Sequence, residues 1–335
     1  MGDNNPKAGS TNIGEGVRKV GDLQTPIVVG VDGSDGALGA ARWAAAMAAR
    51  LGTSLQLVHA MSGVDEALLN VAAPQEQDAG AYPRELGHAV LNRTADAVHA
   101  VFPELHVSRT LRHRSPAEVL VDMSRQARMV VLNCSDVSPI GALLVGSTTL
   151  KTIAHSECPV VAWRGGAQAP TQRPLVVGVD DGPAAHAALV MAFGLADCLG
   201  VALVVVHATS PRRPPGEVDI PVLIDWEALE DEARQRLSKI TAPLAEHWPR
   251  VDVSYAVETG RAGRALLHHA VDAQLVVVGT RGRGNAASVL LGSTGLSLLH
   301  HCPLPVISCP ESYVWDEWSP MHEGSLSASA HVEGA

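Results

Sequence analysis

Short apolar runs rich in β-branched residues alternate along this chain with stretches in which apolar residues recur every three or four positions. The first run spans residues 27–32, and the helical spacing that follows it ends at Gly52. The same succession starts again at 175–180 and ends at Gly200. A glycine directly after a helical pattern is typical of a helix C-terminus. Strands that alternate with helices predict right-handed βαβ crossovers and a parallel sheet covered by helices on both faces.

The chain is an internal repeat. The segment Ile27–Asp32 (IVVGVD) is matched by Leu175–Asp180 (LVVGVD) at an offset of 180 − 32 = 148, and Gly146–Thr148 is matched by Gly292–Thr294 at an offset of 292 − 146 = 146. A stretch rich in Gly, Ala, Pro and Gln separates the two copies and is typical of a linker. We therefore predict an N-terminal tail (1–22), a first domain (23–165), a linker (166–173), a second domain (174–310) and a C-terminal tail (311–335).

Each copy contains five predicted strands. They span 27–32, 55–59, 105–111, 129–132 and 160–163 in the first copy, and 175–180, 202–207, 251–257, 275–278 and 305–308 in the second. Helices are predicted at 116–127 and 262–273, and an amphipathic helix runs from Trp226 to Leu244 in the segment where the copies differ most. Because ligands of such sheets lie beyond the carboxyl ends of the strands, the loops after the first and fourth strands are the candidate binding loops.

Composition narrows the class of protein. Of the 335 residues, 46% are hydrophobic and only 3% aromatic, which suits parallel sheets covered by helices. The net charge of −10 argues against a general nucleic-acid or anionic-membrane surface. Five scattered cysteines without a CxxC pair favour a reducing compartment. Because we find neither a signal-peptide core nor an apolar run long enough to span a bilayer, we expect a cytoplasmic protein.

The loop after the fourth strand of the second copy has the chemistry of a phosphate cradle. It reads Gly279–Asn285 (GTRGRGN), and a helix is predicted to open shortly afterwards. Glycines let the backbone approach a ligand closely, and peptide N–H groups at a helix start form a concave anion site. Ser293 and Thr294 are expected to cap this helix and donate hydroxyls to a phosphate, while Arg281 and Arg283 add charged donors.

Two familiar phosphate loops fit this segment less well. A Walker A loop requires Lys and Ser or Thr where Asn285 and Ala286 stand. Residues 282–287 satisfy the looser dinucleotide pattern GxGxxA, but that pattern belongs to the first strand–helix turn of its unit. Here it follows the fourth strand, which disfavours a Rossmann dehydrogenase.

The glycine spacing resembles that of ATP-binding universal stress proteins. Gly279-x2-Gly282-x9-Gly292-Ser293 has the G-2x-G-9x-G-(S/T) spacing of this family, and the strands ending at Asp32 and Asp180 are also similar to it. The resemblance covers roughly residues 23 to 310, and the tandem arrangement resembles the two-domain members of actinobacteria. It implies an α/β fold of two flavodoxin-like domains, each a five-stranded parallel sheet of order 3-2-1-4-5, which self-associate through the last strand.

The same resemblance implies a binding site for ATP, alone or with Mg²⁺, in the second domain. Asp180 at the end of the first strand would contact the adenine, and the glycine loop would hold ribose and phosphates. The predicted ligand-binding residues are Gly178, Val179, Asp180, Gly279, Arg281, Gly282, Arg283, Gly284, Gly292, Ser293 and Thr294.

The first domain departs from this pattern. At the 146 offset, Asn133 replaces Gly279 and Asp136 replaces Gly282, while Ser135 and Val137 replace the two arginines. A carboxylate then lies near the phosphate position and two cations are lost, each charged hydrogen bond contributing roughly 1.5–3 kcal/mol. Lys151 would offset part of this loss. We predict a weak or empty first site, for which the weaker candidates are Gly30, Asp32, Gly146, Ser147 and Thr148.

Several of these polar residues also have ordinary structural explanations. Asp32 and Asp180 would equally shape the turn before a helix. His59 and His207 are expected to be packed or bonded to the backbone rather than catalytic. The adjacent pairs His268-His269 and His300-His301 should diverge on a helix, so no metal site is predicted. Cys134 in the altered first loop is interpreted as a small core thiol rather than a redox centre.

The leading functional hypothesis is a nucleotide-dependent regulator of stress response or growth. The sequence offers no recognisable nucleophile–base pair or metal cluster for phosphoryl transfer, so we predict ATP binding without catalytic residues. A slow ATPase assisted by Arg281 and Arg283 is one alternative. The other is an interaction scaffold, for which the tail with Tyr313, Trp315 and Trp318 is the main argument. The predicted partners are ATP and further copies of the chain through the last strands, and no nucleic acid or membrane.

Overall fold

The computed structural model describes residues 25–61, 81–134, 145–166, 168–209, 226–280 and 292–313. Its strands are β1 (Ile27–Gly30), β2 (Leu55–Ala60), β3 (Val107–Arg112), β4 (Met129–Asn133), β5 (Val160–Trp163), β6 (Leu175–Val179), β7 (Leu203–Thr209), β8 (Val253–Thr259), β9 (Leu275–Thr280) and β10 (Val306–Pro310). Its helices are α1 (Asp35–Arg50), α2 (Ala81–His99), α3 (Pro116–Ser124), α4 (Ser147–His155), α5 (Ala184–Leu199), α6 (Trp226–His247), α7 (Ala262–His269) and α8 (Ser293–His301).

The ten described strands form one sheet of order β3-β2-β1-β4-β5-β10-β9-β6-β7-β8. Each half reads 3-2-1-4-5 from its outer edge, and all pairings within a half are parallel. The central strands are buried on both faces, as shown by Ile27, Val28 and Val29, which are at most 1% exposed. Continuous apolar runs are what such doubly covered strands require. The predicted fold class is therefore confirmed.

The two halves join through their last strands. β5 and β10 pair antiparallel, with Val161 opposite Ile307 at the centre of the register. This confirms that the last strands associate within the chain. Because β5 lies between β4 and β10, and β10 between β5 and β9, neither strand has an unpaired edge. An association of further copies stays a prediction, and it would have to use a surface other than these strand edges.

Helices cover both faces of the sheet, and each layer is shared by the two halves. One apolar core contains Trp43 from α1 together with Phe193 from α5, whose ring lies 6.0 Å from that of Trp248. The core on the opposite face contains Leu120 from α3 and Leu298 from α8. Since both cores draw on both halves, burial as well as the β5–β10 pairing holds the halves together.

Several predicted boundaries shift in the structure. The helix predicted at 116–127 ends at Ser124, and the one predicted at 262–273 ends at His269 and continues as a 3-10 turn at 270–272. In α6 the buried part of the predicted apolar stripe is narrower than expected, because Leu229 and Ile240 are 47% and 42% exposed. The stripe was predicted from the spacing of Trp226, Leu229, Ala233, Leu237, Ile240 and Leu244. The buried positions of that stripe are Ala233, Leu237 and Leu244.

Candidate functional site

A cleft of about 790 Å³ opens beyond the carboxyl ends of β6 and β9. This is the switch point, where the strand order reverses between β6 and β9, and ligands of doubly wound folds bind at such points. The structure brings together seven predicted residues on its walls: Gly178, Val179, Asp180, Gly279, Gly292, Ser293 and Thr294. The remaining predicted residues, Arg281, Gly282, Arg283 and Gly284, lie outside the described residues.

Two glycines give this cleft its close backbone approach. A Cβ on Gly178 would lie 2.8 Å from Cδ1 of Leu266, and a Cβ on Gly279 would lie 2.7 Å from the backbone carbonyl carbon of Ala184. Real Cβ atoms essentially never approach this closely. The glycines therefore let β6 and β9 pack directly against α7 and α5, so that backbone rather than side chain forms the floor of the cleft.

The N-terminus of α8 faces the cleft. Gly292 is its N-cap residue (φ −50°, ψ 161°), and among the described residues no side chain caps the helix. Ser293 and Thr294 are its first two helical residues, so the prediction that they cap the helix is wrong. The N–H groups of a first turn have no partner within their helix and carry the positive end of its dipole. This end of α8 is therefore suited to binding an anion.

A second helix N-terminus meets the same cleft. Helix α5 begins after Pro183, and within the described part of the chain it too has no side-chain cap. The corresponding helix of the first half is different, because Oγ of Ser34 accepts a hydrogen bond of 3.1 Å from the backbone N–H of Ala37. The second half therefore directs two helix ends without a described side-chain cap at its cleft, whereas α1 in the first half is capped by its own serine.

Asp180 both shapes a turn and lines the cleft. Its Oδ1 accepts a hydrogen bond of 2.9 Å from the backbone N–H of Gly182, and Asp32 accepts an equivalent bond of 2.9 Å from Ser34 in the first half. The turn-shaping interpretation is thus confirmed for both aspartates. It leaves the adenine contact of Asp180 as a prediction.

Sequence reasoning missed two acidic residues of this cleft, Asp181 and Glu311. Asp181 also forms an exposed ion pair of 3.5 Å with Arg236. Glu311 directly follows β10, whose last residue pairs with Thr280 at the end of β9. The parallel pairing of fourth and fifth strands was the signal that could have located it, since it brings both strand ends to the same edge.

The first half is built differently where Gly279 lies in the second. Asn133 occupies the equivalent position, and its side chain lies against the first turn of α1, where a Cβ on Gly36 would be 2.7 Å from Cγ of Asn133. Gly146, Ser147 and Thr148 start α4 as their counterparts start α8. Gly30 likewise packs under Leu120, a Cβ there being 3.3 Å from Leu120 Cδ1. The first half thus has the same backbone elements around the site as the second half. It differs in that Asn133 places a side chain where Gly279 has none.

The histidines that end the second strands bond to the backbone. Nδ1 of His59 lies 2.7 Å from the carbonyl oxygen of Val31, and Nδ1 of His207 lies 2.9 Å from that of Val179. This confirms the structural interpretation of both histidines. Each hydrogen bond links the end of a second strand to the end of the neighbouring first strand. It thereby supports the loop that carries Asp32 in the first half and Asp180 in the second.

Cys134 and the pair His268-His269 have partners that the sequence did not reveal. Cys134 is a buried thiol whose carbonyl oxygen accepts hydrogen bonds from Nε and Nη2 of Arg164, at 3.0 and 2.7 Å. The expected divergence of His268 and His269 is wrong. Nδ1 of His268 and Nε2 of His269 lie 3.6 and 3.0 Å from the same carboxylate oxygen of Glu258. Both rings reach this oxygen because His268 uses Nδ1, the ring nitrogen nearer to its backbone, whereas His269 uses Nε2, the more distant one.

A doubly wound α/β sheet with a cleft of this kind at its switch point defines a flavodoxin-like fold, here present twice. A sequence model of the universal stress protein family matches residues 25–164 and 172–310. The chain therefore belongs to the universal stress protein family. Among the described helices, none has both the length and the apolar character of a membrane span.

Individual relatives agree with this assignment over most of the chain. The chain is 33% identical over 295 residues to universal stress protein Rv2005c of Mycobacterium tuberculosis, covering 86% of this chain and 98% of that protein. It is 33% identical over 302 residues to universal stress protein Rv2623 of the same organism, covering 87% and 98%. The fold is similar to the crystal structure of a universal stress protein from Archaeoglobus fulgidus, with a TM-score of 0.65, 16% identity and coverage of 86% and 98%.

Proposed function

We propose that this universal stress protein binds ATP in its second half and acts as a nucleotide-dependent regulator of stress response or growth. The observation that carries the proposal is the meeting of two helix N-termini, of α5 and α8, at one glycine-floored cleft. Two positive dipole ends and their N–H groups suit a chain of phosphates. The cleft volume of about 790 Å³ also lies in the range of small-molecule sites.

The charges of the cleft support a nucleoside triphosphate rather than an inorganic anion. Asp180, Asp181 and Glu311 make part of the wall acidic, which suits ribose hydroxyls, a base amino group or a Mg²⁺ ion that accompanies the phosphates. The arginines at 281 and 283, which follow β9 in the sequence, would supply charged donors to the phosphates. ATP offers both kinds of group at once.

Unequal halves favour a regulatory role with one nucleotide per chain. Asn133 and the capped α1 make the first half a poorer anion site, while the shared sheet joins the halves through β5 and β10. Nucleotide bound to the second half would act on partners by shifting the populations of the conformations of that half. The proposal concerns nucleotide binding and does not include efficient turnover.

A matched pair of substitutions tests the proposal. Thr294→Asp places a carboxylate in the first turn of α8, where it stabilises the helix by about 0.3–1 kcal/mol but repels phosphate. Thr148→Asp makes the same change in α4, and both threonines are half-buried second residues of their helices. Isothermal titration of nucleotide-free protein with ATP should give one site per chain, lost in Thr294→Asp and kept in Thr148→Asp. Equal occupancy of both halves, or binding that survives Thr294→Asp, would contradict it.

A further inference from the structure

A cluster of three metal-ligating side chains lies at the end of α7, and none of the three is among the residues predicted to bind nucleotide. Glu258, His268 and His269 each offer one ligand atom, and these atoms all lie within 4.8 Å of one another. Glu258 belongs to β8, and the two histidines are the last residues of α7. The cluster therefore joins a strand to the helix that follows it.

The spacing of these atoms matches a tetrahedral metal site. Zinc binds imidazole nitrogen and carboxylate oxygen at about 2.0–2.2 Å, so tetrahedral ligand atoms lie roughly 3.3–3.6 Å apart. The carboxylate oxygen Oε1 of Glu258 is 3.0 Å from Nε2 of His269 and 3.6 Å from Nδ1 of His268. A small movement of these side chains would place all three around one ion.

From this geometry we infer that Glu258, His268 and His269 bind a divalent transition-metal ion, with Zn²⁺ the best match to two imidazoles and one carboxylate. Mg²⁺ and Ca²⁺ prefer oxygen ligands and fit this set poorly. The side chain of His268 is 74% exposed, so the fourth coordination position faces solvent and is open to water or to a ligand from another molecule.

An ion at this position would restrain α7, the helix that forms part of the wall of the nucleotide cleft. Ala262 and Leu266 of α7 line that cleft, and the ion would fasten the other end of the same helix to β8. Binding to the folded state alone also stabilises it by linkage. The metal site nevertheless depends on none of the nucleotide-binding residues, so either site can be tested without the other.

The test is a titration of the full-length, metal-free protein with Zn²⁺ against a competing chelator, with Co²⁺ absorption to report coordination. We expect one tight equivalent per chain, weakened at least about 100-fold in His269→Ala and in Glu258→Gln, because removing a ligand costs more than disturbing its surroundings. Glu258→Gln keeps the shape of the side chain, so it separates loss of metal from loss of folding.

The other vicinal pair of histidines provides the control. His300 and His301 end α8 as His268 and His269 end α7, and their ring centroids are 6.2 Å apart. The double variant His300→Ala/His301→Ala should keep the tight equivalent and the thermal stabilisation by Zn²⁺. Absence of a tight equivalent in the unaltered protein, equal binding by Glu258→Gln, or equal loss in the control variant would each overturn the inference.

Discussion

Gly279 packs against Ala184 so tightly that a Cβ on the glycine would lie 2.8 Å from the Cβ of the alanine and 2.7 Å from its carbonyl carbon. In the first half the glycine and the larger residue change places at the same contact: Asn133 replaces the strand glycine, and Gly36 replaces the helix alanine. The two halves thus pack their fourth strand against their first helix with one side chain in each case. Only in the second half does the strand residue at this contact, Gly279, carry no side chain.

Replacing Gly279 with Asn should therefore destabilise the protein, and a second change should relieve the effect. Backbone atoms of α5 cannot move aside as a flexible side chain would, so Gly279→Asn is expected to cost about 1–3 kcal/mol of unfolding free energy. Ala184→Gly in the same chain should recover part of this loss, because it removes the contact with the Cβ of Ala184 while the carbonyl group of residue 184 stays in place. Urea denaturation of the two single variants and the double variant measures this coupling.

Gly166→Ala is the control, since a Cβ there would have no atom within 4 Å. It should change the unfolding free energy by less than about 0.5 kcal/mol. If the effects of Gly279→Asn and Ala184→Gly on the free energy of unfolding were additive, this contact would not account for the difference between the two halves.

Asp180→Asn should weaken ATP binding while leaving the fold intact. The amide oxygen of Asn can still accept the hydrogen bond from the N–H of Gly182, so the turn persists. The lost charge removes a charge-assisted contact to the nucleotide, for which we expect about a tenfold or greater loss of affinity. Asp32→Asn makes the same change in the equivalent turn. Titration with ATP should distinguish the two variants, and an equal effect of both would count against a carboxylate role in the second site.

The fold could be predicted from the sequence because its signals are local and repeated. The strand runs beginning at Ile27 and Leu175 are apolar throughout, and a doubly covered parallel strand is the structure that buries such a run. The repeat then related the elements of one half to those of the other, except between the second and third strands, where a helix was predicted only in the second half and the structure has one in each half. Boundaries were less accurate, as at Ser124, because helix ends depend on capping contacts that neighbouring elements decide.

The site could be predicted only as far as the two strand–loop–helix units with recognisable motifs supply it, those that begin with β6 and with β9. Gly279 and Ser293 follow from motif spacing, whereas Glu311 reaches the cleft through the pairing of β9 with β10. Glu258 meets His268 and His269 across a strand and a helix, a contact that a rule for adjacent helix positions does not contain. Long-range contacts of this kind depend on side-chain reach, which sequence spacing does not report.

Arg164 should contribute strongly to the stability of the contact between the two halves. Its buried guanidinium donates to the carbonyl oxygen of Cys134 in the first half, and its Nη1 lies 3.4 Å from the carbonyl oxygen of Cys302 in the second. Arg164→Ala would leave these carbonyl oxygens without this donor in a buried place, at a cost of about 2–4 kcal/mol. Urea denaturation measures the loss, and Arg164→Lys should retain only part of the stability because it lacks the planar fork.

Arg125 is the comparison for Arg164. Its ion pair with Glu157 spans 3.4 Å between side chains that are 61% and 42% exposed. Exposed pairs of this kind contribute about 0–1 kcal/mol, so Arg125→Ala should have little effect. If Arg164→Ala and Arg125→Ala lowered the free energy of unfolding equally, the hydrogen bond from Arg164 to Cys302 would make no particular contribution to the contact between the two halves.

Cys158 should make stability depend on alkaline pH. Burial raises the pKa of its thiol from 9.0 to about 12. The unfolded chain therefore ionises this thiol first, so the stabilisation that the buried thiol provides is complete below pH 9 and is lost as the pH rises toward 12, by at most about 1.4 kcal/mol per pH unit. Cys158→Ala removes the thiol, so the stability cost of this substitution should shrink across that window. Val160→Ala, at a buried neighbour without a titrating group, should cost the same at every pH. Denaturant titrations of both variants from neutral to strongly alkaline pH provide the comparison, and a pH-independent cost of Cys158→Ala would mean that the thiol ionises equally readily in the folded and unfolded chains.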